Sequence, residues 1–120
     1  MAQTVVPMIH VPDVRVTVQW YVSIGFVCVG ENVENGQMNW AKLTFEGSEV
    51  MFNFGGRPSP DQRRELDLYI TTNTVDELFR RLKDRMDVVE DVHDTEYGMR
   101  EFIIRDCNRF WITFGQSVRT

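Results

Sequence analysis

Apolar and polar positions along the chain fall into two runs of the same order. Residues 5–11 (VVPMIHV) read as a strand, and the early Pro7 places it at a sheet edge or in an exchanged position. Asp13 suits a helix N-cap. Behind it Val14, Val18, Tyr21 and Val22 recur at i, i+4, i+7 and i+8, one apolar stripe that stops near Gly25. Residues 26–31 read as a short strand, and Asn35 with Gly36 is a tight-turn signal. Residues 37–45 and 49–54 then alternate about Glu46, Gly47 and Ser48. The predicted order is β-α-β-β-β.

Residues 55–65 (GGRPSPDQRRE) read as a linker, and after them the order returns. Residues 67–72 (DLYITT) are a β-branched and aromatic run, and Thr74 with Glu77 spells a capping box. Val75, Leu78, Phe79, Leu82 and Met86 mark a helix face. Strands follow at 88–92 and 99–105, then a four-residue turn at 106–109 and a last strand at 110–115. A slide of 61 positions lays Asp13 on Thr74, Val14 on Val75, Val18 on Phe79 and Tyr21 on Leu82. The expected architecture is one α+β domain over residues 1–120. Module one spans about 5–54, the linker 55–65 and module two about 66–116, with curved mixed sheets and helices on their outer faces.

Composition narrows the function classes. In 120 residues, 42% hydrophobic and 26% charged side chains exclude disordered and low-complexity classes. Thirteen Lys and Arg against 18 Asp and Glu leave a net charge of −5, which disfavours nucleic acid and anionic membrane as partners. No apolar run approaches the ~20 residues of a membrane span, and the first residues lack a signal-peptide pattern. Cys28 and Cys107 lie far apart, which fits reduced thiols in a cytoplasmic protein better than a disulfide framework. No phosphate-binding loop or nucleophile elbow is present.

Two stretches carry a family resemblance. ITTNTVDELFRRL and YGMREFIIRDCNRFWITFGQ in module two, with PMIHVPDVRVTVQWYVSIGF in module one, resemble the vicinal oxygen chelate superfamily. That superfamily includes glyoxalase I, extradiol dioxygenases, and fosfomycin- and bleomycin-resistance proteins. The resemblance implies paired modules, and, in its enzymes, a divalent ion held by His, Gln or Glu on first and last strands. The matching positions are Val6, Met51, Asp67 and Thr113. Val and Met offer no donor to a hard cation, Thr is a poor ligand, and Asp67 alone cannot hold the ion. His10 and His93 lie elsewhere. The expectation is no metal and no cofactor.

Strand parity then sorts side chains between a concave, cup-like face and a packed one. If Met51 faces the cup, so do Glu49 and Asn53, with Trp40, Lys42 and Thr44 opposite. In module two Asp67, Tyr69, Arg100, Phe102, Ile104, Trp111 and Thr113 are assigned to the cup, and Ile103, Phe110, Ile112 and Phe114 to the core. The predicted ligand-binding set is Trp40, Glu49, Met51, Asp67, Tyr69, Arg100, Phe102, Trp111 and Thr113. Met8 and His10 share that face. For Asp67 a salt bridge to Arg100 or Lys42 is the competing role, for His10 a hydrogen-bonded structural one, and for Arg100 pairing with an acid.

Aromatic walls with a few acids suit a flat aromatic ligand, neutral or cationic. The resemblance points to the bleomycin-resistance branch: a metal-free, drug-sequestering homodimer with aromatic-lined grooves and no catalytic residues. Two alternatives stay open. One is an enzyme of the same superfamily with an atypical metal site built from Asp67, Glu49, His10 and Tyr97. The other is a protein-interaction module whose partner covers the cup.

Overall fold

Asp13 starts the first helix for a local reason. Its backbone is extended (φ −141°, ψ 106°), and its carboxylate accepts the Val16 amide at 3.0 Å. In the computed structural model, which describes residues 4–57 and 66–118, that helix is α1 (Val14–Ser23). It follows β1 (Met8–Val11) and precedes β2 (Val27–Glu34), β3 (Gln37–Phe45) and β4 (Ser48–Phe54). The order repeats as β5 (Asp67–Thr71), α2 (Val75–Leu82), β6 (Asp87–Asp94), β7 (Met99–Arg105) and β8 (Trp111–Ser117). The α+β fold of two β-α-β-β-β modules agrees with the sequence pattern. The chain divides into two compact units, Met1–Pro58 and Ser59–Thr120. Most of the predicted linker, residues 58–65, lies outside the described residues. Among the described residues, no helix is long and apolar enough to cross a membrane.

In the first unit the sheet runs β1-β4-β3-β2, with β1 parallel to β4 and the other pairs antiparallel. Both hairpins close on two left-handed residues. Asn35 and Gly36 have φ 52° and 78°, and Glu46 and Gly47 have φ 46° and 88°. That pairing matches the strand twist. β1 is an edge strand, and Pro7 stands just outside it, its carbonyl accepting the Met51 amide at 2.8 Å. α1 packs on β2, β3 and β4, burying Val14, Thr17, Val18 and Tyr21. The Tyr21 ring lies 4.8 Å from Phe52 and 5.1 Å from Phe26. Val22, expected on this stripe, is exposed. Thr17 takes its place, because its hydroxyl is satisfied at the Asp13 carbonyl, 2.8 Å away.

The second sheet runs β5-β8-β7-β6, again with its first strand parallel to its last. α2 packs on β7 and β8, and its core is a short aromatic column. Phe79 lies 5.1 Å from Phe102, which stacks on Phe114 at 5.0 Å. The predicted capping box does not form. Thr74 sits at the N-cap position with ψ 46°, and its side chain makes no capping bond. Gln116, at the end of β8, accepts the Val75 amide instead, at 3.0 Å. α2 also ends at Leu82, so Met86 belongs to the following turn, where its amide bonds the Leu82 carbonyl at 3.0 Å.

Candidate functional site

Each sheet has one face covered by its helix and one face free of it within its own unit. In the first unit the free face follows the expected parity. Trp40 pairs with Asn53, Lys42 with Met51 and Thr44 with Glu49, while Ala41, Leu43, Val50 and Phe52 are buried on the helix side. Met8 and His10 come onto the free face opposite Met51 and Asn53. Glu49 is not an isolated acid there: Lys42 Nζ lies 2.9 Å from its Oε2. The Trp40 ring lies flat enough over β2 that a Cβ on Gly30 would stand 3.2 Å from its edge. A side chain at that position would compete with the indole for space.

The second unit corrects the expected parity of β7. Arg105 pairs with Trp111, Ile103 with Thr113 and Glu101 with Gly115. Phe102 and Ile104 therefore face the helix side opposite Phe114 and Ile112, and Phe102 is fully buried in the aromatic column. Arg100 points to the same side, where Nε lies 2.7 Å from Asp76 and Nη1 lies 3.0 Å from Asp94. The cause is the turn. Asp106 Oδ1 accepts the amides of Asn108 at 2.7 Å and Phe110 at 2.9 Å, and Arg109 is left-handed at φ 68°. Phe110 is thereby drawn into a loop one residue longer than expected. A slip of one residue exchanges every side chain between faces.

Asp67, Tyr69, Trp111 and Thr113 do share the free face, with Asp67 beside Trp111 and Tyr69 beside Thr113. The residue that sequence reasoning missed is Glu101. It is only 4% exposed, yet it accepts the Tyr69 hydroxyl at 2.5 Å on Oε2 and the Tyr97 hydroxyl at 2.7 Å on Oε1. Tyr69 belongs to β5 and Glu101 to β7, so the ring must cross β8 between them. Gly115 permits the crossing, since a Cβ there would overlap the phenol. His93 neighbours Glu101 in the β6–β7 register. Burial, then the bond to the Glu101 carboxylate, pushes the Tyr69 hydroxyl pKa well above its usual value. For Tyr97 the bond to Glu101 comes first and burial second, again upward. Both phenols remain protonated donors at neutral pH. The one available signal for Glu101 was an acid inside the apolar run EFII.

The residues present do not fit the divalent centre implied by the family resemblance. Val6, Met51 and Thr113 offer no imidazole or carboxylate, and among the described residues no three of His, Cys, Asp or Glu are grouped to hold an ion. Asp67, Glu49, His10 and Tyr97, the set of the alternative enzyme reading, are divided between the units, and Tyr97 is engaged by Glu101.

Two modules of this topology, each with an open sheet face, define a family rather than an activity. The chain belongs to the glyoxalase/bleomycin resistance protein/dioxygenase superfamily, whose model matches residues 3–114. Among solved structures it is similar to TioX from Micromonospora sp. ML1, at 23% identity and a TM-score of 0.81 over 97% of this chain and 99% of that one. It also resembles a bleomycin-binding protein complexed with bleomycin, at 15% identity and a TM-score of 0.72 over 97% and 99%. TnmS3, an antibiotic binding protein from Streptomyces sp. CB03234, is similar at 21% identity and a TM-score of 0.69 over 98% of each chain. No curated protein matches the sequence.

Proposed function

We propose that this protein is a metal-free, small-molecule binding protein that sequesters a flat aromatic ligand, neutral or cationic, in grooves of a cytoplasmic homodimer. The observation that carries this reading is the placement of Trp40, Tyr69 and Trp111 on the helix-free faces, together with the acids Glu49, Asp67 and Glu101. Broad rings supply stacking area, and Asp67 and Glu101 bias the groove toward donors and cations, the charge of Glu49 being already matched by Lys42. Sequestration needs no reacting group, and no matching position carries the family's metal ligands. The bleomycin-binding and antibiotic-binding proteins of the same fold support a binding role. The thiols of Cys28 and Cys107 and the net charge of −5 support a cytoplasmic protein that does not engage nucleic acid. A thermal-shift screen of aromatic compounds, followed by tryptophan quenching, tests the proposal. Saturable quenching by cationic or neutral aromatics is expected. A protein partner recovered by pull-down, with no small-molecule response, would favour an interaction module instead.

A further inference from the structure

Glu101, Tyr69 and Tyr97 form a cluster whose polarity is fixed from below. Each phenol has one proton, and both protons are directed inward to the carboxylate, at 2.5 Å from Tyr69 and 2.7 Å from Tyr97. The carboxylate is 4% exposed, whereas Tyr69 and Tyr97 are 51% and 61% exposed. Outward, the two hydroxyl oxygens therefore present lone pairs and no hydrogen, that of Tyr97 with the Thr95 side chain as a further hydrogen-bond neighbour. Among the described residues no cation pairs with Glu101: Arg100 is turned to Asp76 and Asp94, Arg105 to Asp87 and Lys42 to Glu49. The negative charge at the hydroxyl ends of the rings makes both oxygens better acceptors and favours a cation beside them.

We infer that Tyr69, Tyr97 and Glu101 form a donor-selective subsite that takes a planar N–H group, an amidinium or guanidinium, and rejects a carboxylate of the same shape. This rests on the small-molecule reading above and adds the chemical class of the group recognised. An amidinium brings two parallel N–H donors and a positive charge to two acceptors lying over an anion. A carboxylate brings acceptors to acceptors and charge to like charge, with no proton free to turn outward.

Three probes of one size decide it: benzamidine, benzamide and benzoate, titrated into the full chain with ¹³C-labelled tyrosine rings and followed by NMR. The expected order is benzamidine over benzamide over benzoate, with shifts at the Tyr69 and Tyr97 rings. Benzamidine should exceed benzoate by at least about tenfold, the ratio a charge-assisted hydrogen bond supports. Glu101→Gln places an amide donor under the rings, so one phenol must accept and turn its own proton outward. The preference should then shrink toward unity. Tyr97→Phe, which leaves Tyr69 and the carboxylate as acceptors, should keep the order even if Glu101→Gln fails to fold. Benzoate binding as tightly as benzamidine overturns the inference, as does binding that leaves both rings unshifted. If no probe binds while other aromatics do, the inference fails and the binding reading stands. If no aromatic compound binds, both fail.

Discussion

The Tyr69 hydroxyl occupies the space that a side chain on Gly115 would need. A ring on β5 thereby crosses β8 to reach a carboxylate on β7, and three strands are tied by one hydrogen bond at 2.5 Å. Gly115→Ala should displace the ring and cost about 1–3 kcal/mol, the range for overpacking a filled site. Much of that loss should disappear when Tyr69 is already Phe, because the shortened ring leaves room. Urea unfolding of the two single variants and the double one measures the coupling. Strict additivity would show that the close approach carries no energy.

Phe102 and Trp111 separate stability from binding. Phe102 is fully buried between Phe79 and Phe114, so Phe102→Ala should cost about 3–5 kcal/mol of stability. Trp111 lies on the opposite face, in register with Asp67. Trp111→Ala should weaken an aromatic ligand by roughly 0.5–1.5 kcal/mol beyond its buried area, with a smaller effect on unfolding than Phe102→Ala. The reverse ranking in denaturant midpoints would contradict the face assignment.

The difference between these two residues also marks how far the sequence was legible. Alternation on β3 and β4 gave Trp40, Lys42, Glu49 and Met51 their correct face, because the turn at Glu46 and Gly47 is two residues long and leaves one register. On β7 the same logic failed for Arg100 and Phe102. The Asp106 side chain shapes the loop through Asn108 and Phe110, and a side-chain-to-backbone bond of that kind leaves little trace in the apolar pattern. Glu101 was missed for the same reason, since the expected parity assigned it to the packed side, whereas the observed register sets it on the helix-free face beside Gly115. The helix caps divide similarly. Asp13 was legible because its partner Val16 is three residues away, whereas Gln116 caps α2 from the far end of the unit.

Elemental analysis of purified protein should find no stoichiometric transition metal. The positions that would hold one include Val6, Met51 and Thr113, none of which competes with a chelator for a hard ion. About one Ni, Zn, Mn or Fe per chain, removable by chelator, would refute the metal-free reading and revive the enzyme alternative.

A homodimer is expected at micromolar concentration. β1 and β5 are edge strands, and edges of this kind are commonly covered by another chain or element. Light scattering should return twice the 14.1 kDa chain mass. A mass of a single chain across a tenfold concentration series would exclude the dimer.

The bond from Gln116 to Val75 gives the two modules different schedules. α1 can start on its own first turn, because Asp13 and Val16 are three positions apart. The first amide of α2 waits for a residue 41 positions later, and contacts of such separation form late. On a chain made from its N-terminus, unit one can close while α2 still lacks its cap, and loss of the final strand would loosen a helix separated from it by two strands. Pulse-labelled hydrogen exchange should show the Val75 amide gaining protection together with β8 and after α1; protection of Val75 ahead of β8 would overturn that order.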